Sequence, residues 1–411
     1  MKMLHTSDWH LGRTLYDKKR YDEHENFLNW LSGFIREEKI EVLLVAGDVF
    51  DTSTPSNQAQ ELYYGFLAGI RDSGCRQVII TGGNHDSPTF LDAPKNILGA
   101  LRIKVIGAVT DKPEDEICLI DDTDGKLKAI VCAIPFLRDR DIRTVDPGES
   151  PEDKSRKLKE NITAHYRKIC SEAVKLKGNM DVPLIAMGHL FTREGRTSEG
   201  DGVRELYIDS TAHVDERDIS NGFDYVALGH LHMAQIVGRN DKVRYSGSPL
   251  PMGFAEAGQI KKVIVAEFKG CTPAITEHEI PCFRELFRIS GTLDEISAKI
   301  SDLLNVRKSC TEHAWIEIEI SSAEDSTTIT SKLESMLENS TLEILRIKNT
   351  GTSARWNSGD SDNLSLEELD DKKVFMKCLV AGNVPPEDHQ TLLATYDEAI
   401  LGMQSVDINA N

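Results

Sequence analysis

An α/β fold, with sheets in layers and helices on their faces, is predicted by three observations. Short apolar runs alternate with amphipathic helical stretches from Lys2 to Phe268. Gly, Asn and Asp punctuate the ends of those runs, where turns must form. The chain is 411 residues long, more than one ordinary domain of roughly 100–200 residues, so further domains are expected behind this core. Hydrophobic residues make up 40% and charged residues 28%, which excludes a disordered or fibrous chain.

Taken in order, Lys2–Thr6 reads as a strand, Tyr21–Lys39 as a helix and Glu41–Ala46 as a buried strand. Gln58–Ser73 is a second helix, ending at Gly74, and Gln77–Thr81 a third strand. Strands then come more densely, at Glu116–Ile120, Ala129–Ala133, Leu184–Gly188, Tyr225–Leu228, Ala234–Val237, Val243–Tyr245 and Lys262–Phe268. A charged helix, Lys154–Lys177, interrupts them. The character changes near Thr272–Pro281, which sets a first domain at 1–271. A small α+β domain at 282–349 follows, read as strand, helix, strand, helix, strand. Residues 350–364 are polar and rich in Gly and Ser, as a linker is. Two helical patterns, Ser365–Val380 and Pro386–Leu401, occupy the last segment, 365–411.

Composition narrows the function classes. No run approaches the roughly 18 apolar residues of a membrane helix. The opening MKMLHTSDWHLGR lacks an apolar signal core and already carries candidate chemistry, so it does not read as a targeting peptide. Eight scattered cysteines without CxxC spacing read as reduced thiols, and the expectation is a cytoplasmic protein. The net charge of −19 repels polyphosphate, so a nucleic-acid substrate would need local positive charge, metal ions or a partner.

Histidine, aspartate and asparagine gather where strands end. Asp8 and His10 follow the first strand, Asp48 the second, and Asn84, His85 and Asp86 the third. His189 closes a later strand, and His230 and His232 another. In α/β sheets ligands collect at the carboxyl ends of strands, so these loops converge. A mixture of carboxylate, amide and imidazole donors suits Mn²⁺, Fe²⁺ or Zn²⁺, and the absence of cysteine disfavours a structural zinc site. Each piece alone has a structural reading, as a turn or a satisfied core histidine. Five pieces, each directly after a strand, do not.

The ordered set DxH, GDxxD, GNHD, GH and GHxH resembles the calcineurin-like metallophosphoesterase superfamily. The longer strings resemble the SbcD family, nuclease subunits of bacterial SbcCD complexes. They are His5–Gly12, Leu44–Ser56, Ile80–Pro88, Gly188–Phe191, Asp224–Gln235 and Tyr245–Phe254. The resemblance implies a layered β-sandwich core flanked by helices, then a capping domain and partner-binding C-terminal helices. It implies two divalent metal ions, with Mn²⁺ favoured over Mg²⁺ because the donors are rich in nitrogen. Asp8, His10 and His232 would hold one ion, Asn84, His189 and His230 the other, and Asp48 would bridge them. His85 would act as proton donor to the leaving group, with Asp86 either orienting it or capping its loop. Arg13 is a candidate phosphate contact. Asp51 departs from the histidine found in more distant double-strand-break nucleases, so that residue's DNA contact is not carried over.

The activity implied is metal-dependent DNA cleavage, as ATP-dependent double-strand 3′–5′ exonuclease and single-strand or hairpin endonuclease. The partner implied is an SbcC-type ATPase, in a heterotetramer that contains a homodimer of this chain. Arg13, Lys18, Lys19 and Arg20 form a basic cluster near the metal loops, and residues 136–178 carry a modest basic excess. Leu366, Leu369, Phe375, Leu379, Leu392, Tyr396 and Ile400 give the tail helices apolar faces for docking a partner helix. A small-molecule phosphodiesterase and a non-catalytic adaptor of the same fold are the competing readings.

Overall fold

A computed structural model of the chain describes residues 1–142, 150–196, 213–308, 310–321, 326–349, 371–381 and 384–405. It divides into two compact units, Met1–Phe283 and Arg284–Val406.

In the first unit, one six-stranded sheet is built from β1 (Lys2–Thr6), β2 (Val42–Ala46), β3 (Gln77–Thr81) and β4 (Ile103–Ile106). These run parallel, in the order β1-β2-β3-β4. A second six-stranded sheet uses β5 (Ile117–Asp121), β6 (Leu127–Ala133), β7 (Leu184–His189), β8 (Tyr225–Gly229), β9 (Gln235–Val237) and β10 (Asn240–Tyr245), ordered β9-β10-β8-β7-β6-β5. β11 (Lys262–Lys269) returns to the first sheet antiparallel to β1, and β12 (Thr272–Glu279) completes its edge.

Strand periodicity explains the layering. Along β1 and β2, Met3, Val42 and Leu44 face the second sheet, where they pack with Val131, Ile185, Met187 and Ala227. Their neighbours Leu4, Leu43 and Val45 face the other way, onto Phe27, Leu31 and Tyr63. Those last residues sit on α1 (Tyr21–Glu37) and α2 (Asn57–Gly69), the latter N-capped by the Ser56 side chain on Ala59 N at 3.2 Å. On the second sheet, Ile130, Ala186 and Val226 pack outward onto Tyr166, Ile169 and Ala173 of α3 (Pro151–Lys177). Burial on both faces is why these strands read as continuous apolar runs.

β12 was not anticipated from the sequence. Its eight residues pair along the whole of β11, from Lys262↔Glu279 to Lys269↔Thr272. The sequence TPAITEHE is polar and mostly exposed, with a proline, as edge strands tend to be. The first unit therefore runs past the expected limit at 271, to Phe283.

The second unit holds a parallel sheet of β13 (Leu286–Gly291), β14 (Ala314–Ile320) and β15 (Leu342–Asn349). Ile316, Ile318 and Ile320 pack with Ile296 and Ile300 of α4 (Leu293–Val306) and Ile329 and Leu333 of α5 (Ser326–Leu337). A reciprocal Thr292–Glu295 capping box starts α4. Further on, α6 (Asp371–Ala381) and α7 (Pro386–Ser405) form a helical pair. Phe375 stacks on Tyr396 at 4.3 Å, and Lys372 pairs with Asp397 at 2.9 Å. The expected linker at 350–364, together with Leu366 and Leu369, lies outside the described residues. All eight cysteines are free thiols. Among the described residues, no helix is long and apolar enough to cross a membrane.

Candidate metal centre

Every donor-bearing loop leaves the carboxyl end of a parallel strand. Asp8 and His10 follow β1, Asp48 follows β2, and Asn84 and His85 follow β3. The second sheet supplies His189 at the end of β7, with His230 and His232 after β8. Four of these residues are held in the left-handed region: Asp8 (φ 53), His10 (φ 46), Asp48 (φ 48) and His230 (φ 102). Such backbone costs about 1–3 kcal/mol per residue and persists only where its surroundings impose it. Here Asp8 N donates to Gly47 O at 3.1 Å, and His10 N to Asp48 O at 3.0 Å. The glycines before the donors are needed for space. A Cβ on Gly47 would lie 2.1 Å from His189 Nδ1, and one on Gly83 2.2 Å from Asp48 Oδ1.

Two donor sets result. The donor atoms of Asp8, His10 and His232 lie within 4.8 Å of one another, as do those of Asp48, His189 and His230. Asn84 joins the second set, its Oδ1 lying 2.9 Å from His189 Nε2 and 3.0 Å from His230 Nδ1. Asp48 stands between the sets, with Oδ2 at 3.2 Å from His189 Nε2 and 3.7 Å from His10 Nε2. All seven side chains are buried.

The donor chemistry fits divalent cations. His189 Nδ1 donates to Ala46 O at 3.0 Å, which turns Nε2 toward Asp48 and Asn84. His10 Nδ1 donates to Asp51 Oδ1 at 3.1 Å, which turns Nε2 inward, 3.2 Å from His232 Nε2. Nitrogen lone pairs and carboxylates packed this closely repel one another unless a proton or cation lies among them.

The protonation states say the same. Burial disfavours the charge on His189, yet Asp48 and Asp8 overcome it and hold the ring at about 9. Burial also works against Asp48, but His189, His85 and His10 keep it well below the ordinary carboxylate range. Burial raises Asp8 to about 6 and lowers His10 to about 4, the latter against the pull of Asp51. His230 is driven far down, by burial and then by His189.

A binding experiment follows from this. Cation uptake at pH 7 should expel roughly one proton, and affinity should rise as pH approaches 9, where His189 releases it unaided. Calorimetric titration in two buffers of different ionisation enthalpy measures the number. Equal heats in both would contradict the arrangement.

The remaining residues divide clearly. His85 N donates to Asp48 Oδ1 at 2.8 Å, and its Nδ1 donates to Asp51 O at 2.8 Å. Asp86 is a loop cap, not an orienting partner of His85. Its carboxylate accepts the N–H groups of Val49, Phe50 and Gly83 at 3.1, 2.9 and 2.8 Å. Those three bonds turn the carboxylate into its own loop, and the His85 ring takes the Asp51 carbonyl instead. Arg13 lies close by, with Nη1 on Asp51 Oδ1 at 3.0 Å. His10, Asp51 and His85 also group within 4.8 Å, but a guanidinium on the Asp51 carboxylate disfavours a cation there.

Arg20 does not join the expected basic cluster. It is buried against Glu23 and donates to Pro251 O, so Lys18 and Lys19 remain nearer the surface. On α3, Arg156 pairs with Asp153 and Glu160, and Lys175 with Glu172, as on a solvated face.

Three contributors are given no role at the centre by the sequence. Asp51 backs His10. Glu256 and Lys261 form a buried ion pair beneath His232, and Lys261 also donates to His232 O at 3.1 Å. Asp51 lay inside the GDxxD string, whereas nothing local marks Glu256.

Residues 1–234 match the family described as calcineurin-like phosphoesterase, more than half of the chain. Residues 282–381 match the one described as type 5 capsule protein repressor C-terminal domain. The D subunit of nuclease SbcCD from Escherichia coli (strain K12) is 33% identical over 95% of this chain and 96% of its own length. The protein of that name in Rhodobacter capsulatus is 32% identical over 82% of this chain and 84% of its own. That of Bacillus subtilis is 30% identical over 78% and 79%. With relatives at least 30% identical over 78–95% of its length and the phosphoesterase match coinciding with the donor loops, the chain belongs to the SbcD family of calcineurin-like phosphoesterases.

Proposed function

We propose that the chain is the nuclease subunit of a two-component DNA-processing machine and hydrolyses phosphodiesters at a centre holding two Mn²⁺ ions. The observation that carries this reading is a pair of buried donor sets with one carboxylate, Asp48, between them. Asp8, His10, His232 and Asp48 would hold one cation, and Asp48, Asn84, His189 and His230 the other. Cations bound there supply an acidified water and neutralise charge on the phosphodiester oxygens.

The chain's own residues do the rest. Asp51 and Ala46 carbonyl fix the tautomers of His10 and His189, so that Nε2 faces the centre in each. The Asp51 carbonyl fixes the ring of His85 through Nδ1, and Nε2 is the atom that would pass a proton to the departing oxygen. Arg13, held by Asp51 through Nη1, would contact the phosphate.

The net charge of −19 opposes tight DNA binding by the chain alone. An SbcC-type ATPase supplies the DNA-holding surface, in a heterotetramer with a homodimer of this chain, and gates 3′–5′ digestion of duplex ends. The names of the relatives, each the D component of an SbcCD nuclease, support this division of labour. The α6–α7 pair is the docking element, and the cytoplasm is the compartment.

One assay tests the reading. With Mn²⁺ the isolated chain should cleave a chromogenic phosphodiester and open a DNA hairpin, whereas duplex-end digestion should require the ATPase and ATP. A chain truncated after Asn349 should keep the first activity and lose partner copurification and the ATP-dependent one. A chain inert on both simple substrates contradicts the enzymatic reading, and partner binding by the truncated chain contradicts the docking element.

A further inference from the structure

We propose that Glu256 is a positioning residue for the metal centre, orienting His232 through Nδ1, with Lys261 as the clamp that holds both. The inference rests on the two-cation reading above and assigns a task to a segment that reading leaves idle, Tyr245–Lys261.

Glu256 is 1% exposed. One of its carboxylate oxygens, Oε2, accepts Met252 N at 3.1 Å and pairs with Lys261. The other, Oε1, has no hydrogen bond and stands 3.6 Å from His232 Nδ1. A buried carboxylate oxygen without a donor is costly, and the imidazole N–H is the donor this arrangement offers it. The gap is a few tenths of an ångström beyond ordinary hydrogen-bond length.

Lys261 ties the arrangement together. Its ammonium group donates to His232 O and to Ser248 Oγ, both at 3.1 Å, besides pairing with Glu256. Ser248 N donates to the same His232 carbonyl at 3.1 Å. One cation thus fixes the main chain of His232 and the carboxylate beneath its ring as a single unit. Gly247, at φ 75, lets the strand-to-loop turn approach closely, since a Cβ there would lie 2.7 Å from His232 O.

His10 offers an internal comparison. Its Nδ1 is backed by a carboxylate too, Asp51 at 3.1 Å, and its Nε2 meets that of His232 at 3.2 Å. Both imidazoles of one donor set would then be carboxylate-backed, whereas His189 in the other set is backed by the neutral Ala46 carbonyl. A buried ion pair contributes little net stability against apolar packing. Its placement under a donor histidine is better accounted for by orientation.

The test uses the full-length chain in which Glu256→Gln and Lys261→Met are combined, so that no unpaired charge is left buried. Mn²⁺ binding is followed by calorimetry, and folding by circular dichroism. The wild type should bind two ions, and the folded double variant should hold one of them about 10–100-fold more weakly with the other unchanged. Two unchanged constants in the folded variant would overturn the inference alone. A wild type that takes up no Mn²⁺ would overturn the two-cation reading and the inference with it.

The wild-type chain provides a second test that needs no folded variant of Glu256. In ring-¹⁵N spectra of the Zn²⁺-loaded chain, with His232 assigned by its loss in His232→Gln, the proton should sit on Nδ1. A proton on Nε2 would overturn the inference.

Discussion

Asp48→Asn should lower the rate of phosphodiester cleavage on the order of 10³-fold or more, the equivalent of several kcal/mol of lost charge stabilisation. Its metal content should fall with the rate. The fold should survive, because asparagine tolerates the left-handed backbone at φ 48. The amide oxygen can also still accept the His85 N–H that Oδ1 accepts at 2.8 Å. What it cannot do is present two anionic oxygens to two donor sets. His189 also loses the carboxylate that holds its proton up to about 9, so proton release on metal uptake should disappear. Rate, metal content and circular dichroism together check this. Full metal occupancy in the variant would remove Asp48 from its bridging role.

His85→Gln should give the opposite separation. The rate should fall about 10²–10⁴-fold, the usual contribution of a positioned acid, while both ions stay bound. The ring belongs to neither of the two principal donor sets, and its neighbour Asp51 is already occupied by Arg13 and His10. Glutamine retains the main-chain N–H that Asp48 accepts, so the loop should keep its shape. Metal analysis beside the kinetics decides the matter. A variant that loses ions along with activity would make His85 a ligand.

The parts of this fold that sequence reveals are those whose local chemistry is one-sided. β2 and β3 are apolar on both faces because each is sandwiched between helices and a second sheet, and no other arrangement needs such runs. The donors were legible for a related reason: His, Asp and Asn directly after buried strands have no structural task that several loops would share. β12 escaped because an exposed edge strand carries no apolar alternation. Glu256 and Lys261 escaped because their meaning is purely tertiary, a pairing five residues apart whose target, His232, lies 24 positions upstream of Glu256.

Arg20 and Asp86 show the limit from the other side. A basic residue beside Lys18 and Lys19 looks like phosphate-binding surface, yet Arg20 is neutralised internally by Glu23. Asp86 adjoins the expected proton donor in sequence, but its carboxylate is turned into the loop, where three backbone N–H groups hold it. Sequence adjacency carried no information about direction.

Crystals of the chain grown with Mn²⁺ and measured at the manganese absorption edge would show directly whether Asp48 lies between two ions. Two anomalous peaks are expected, one on either side of the Asp48 carboxylate, the first against Asp8, His10 and His232 and the second against Asn84, His189 and His230. A single peak, or a peak away from Asp48, would contradict that bridging role.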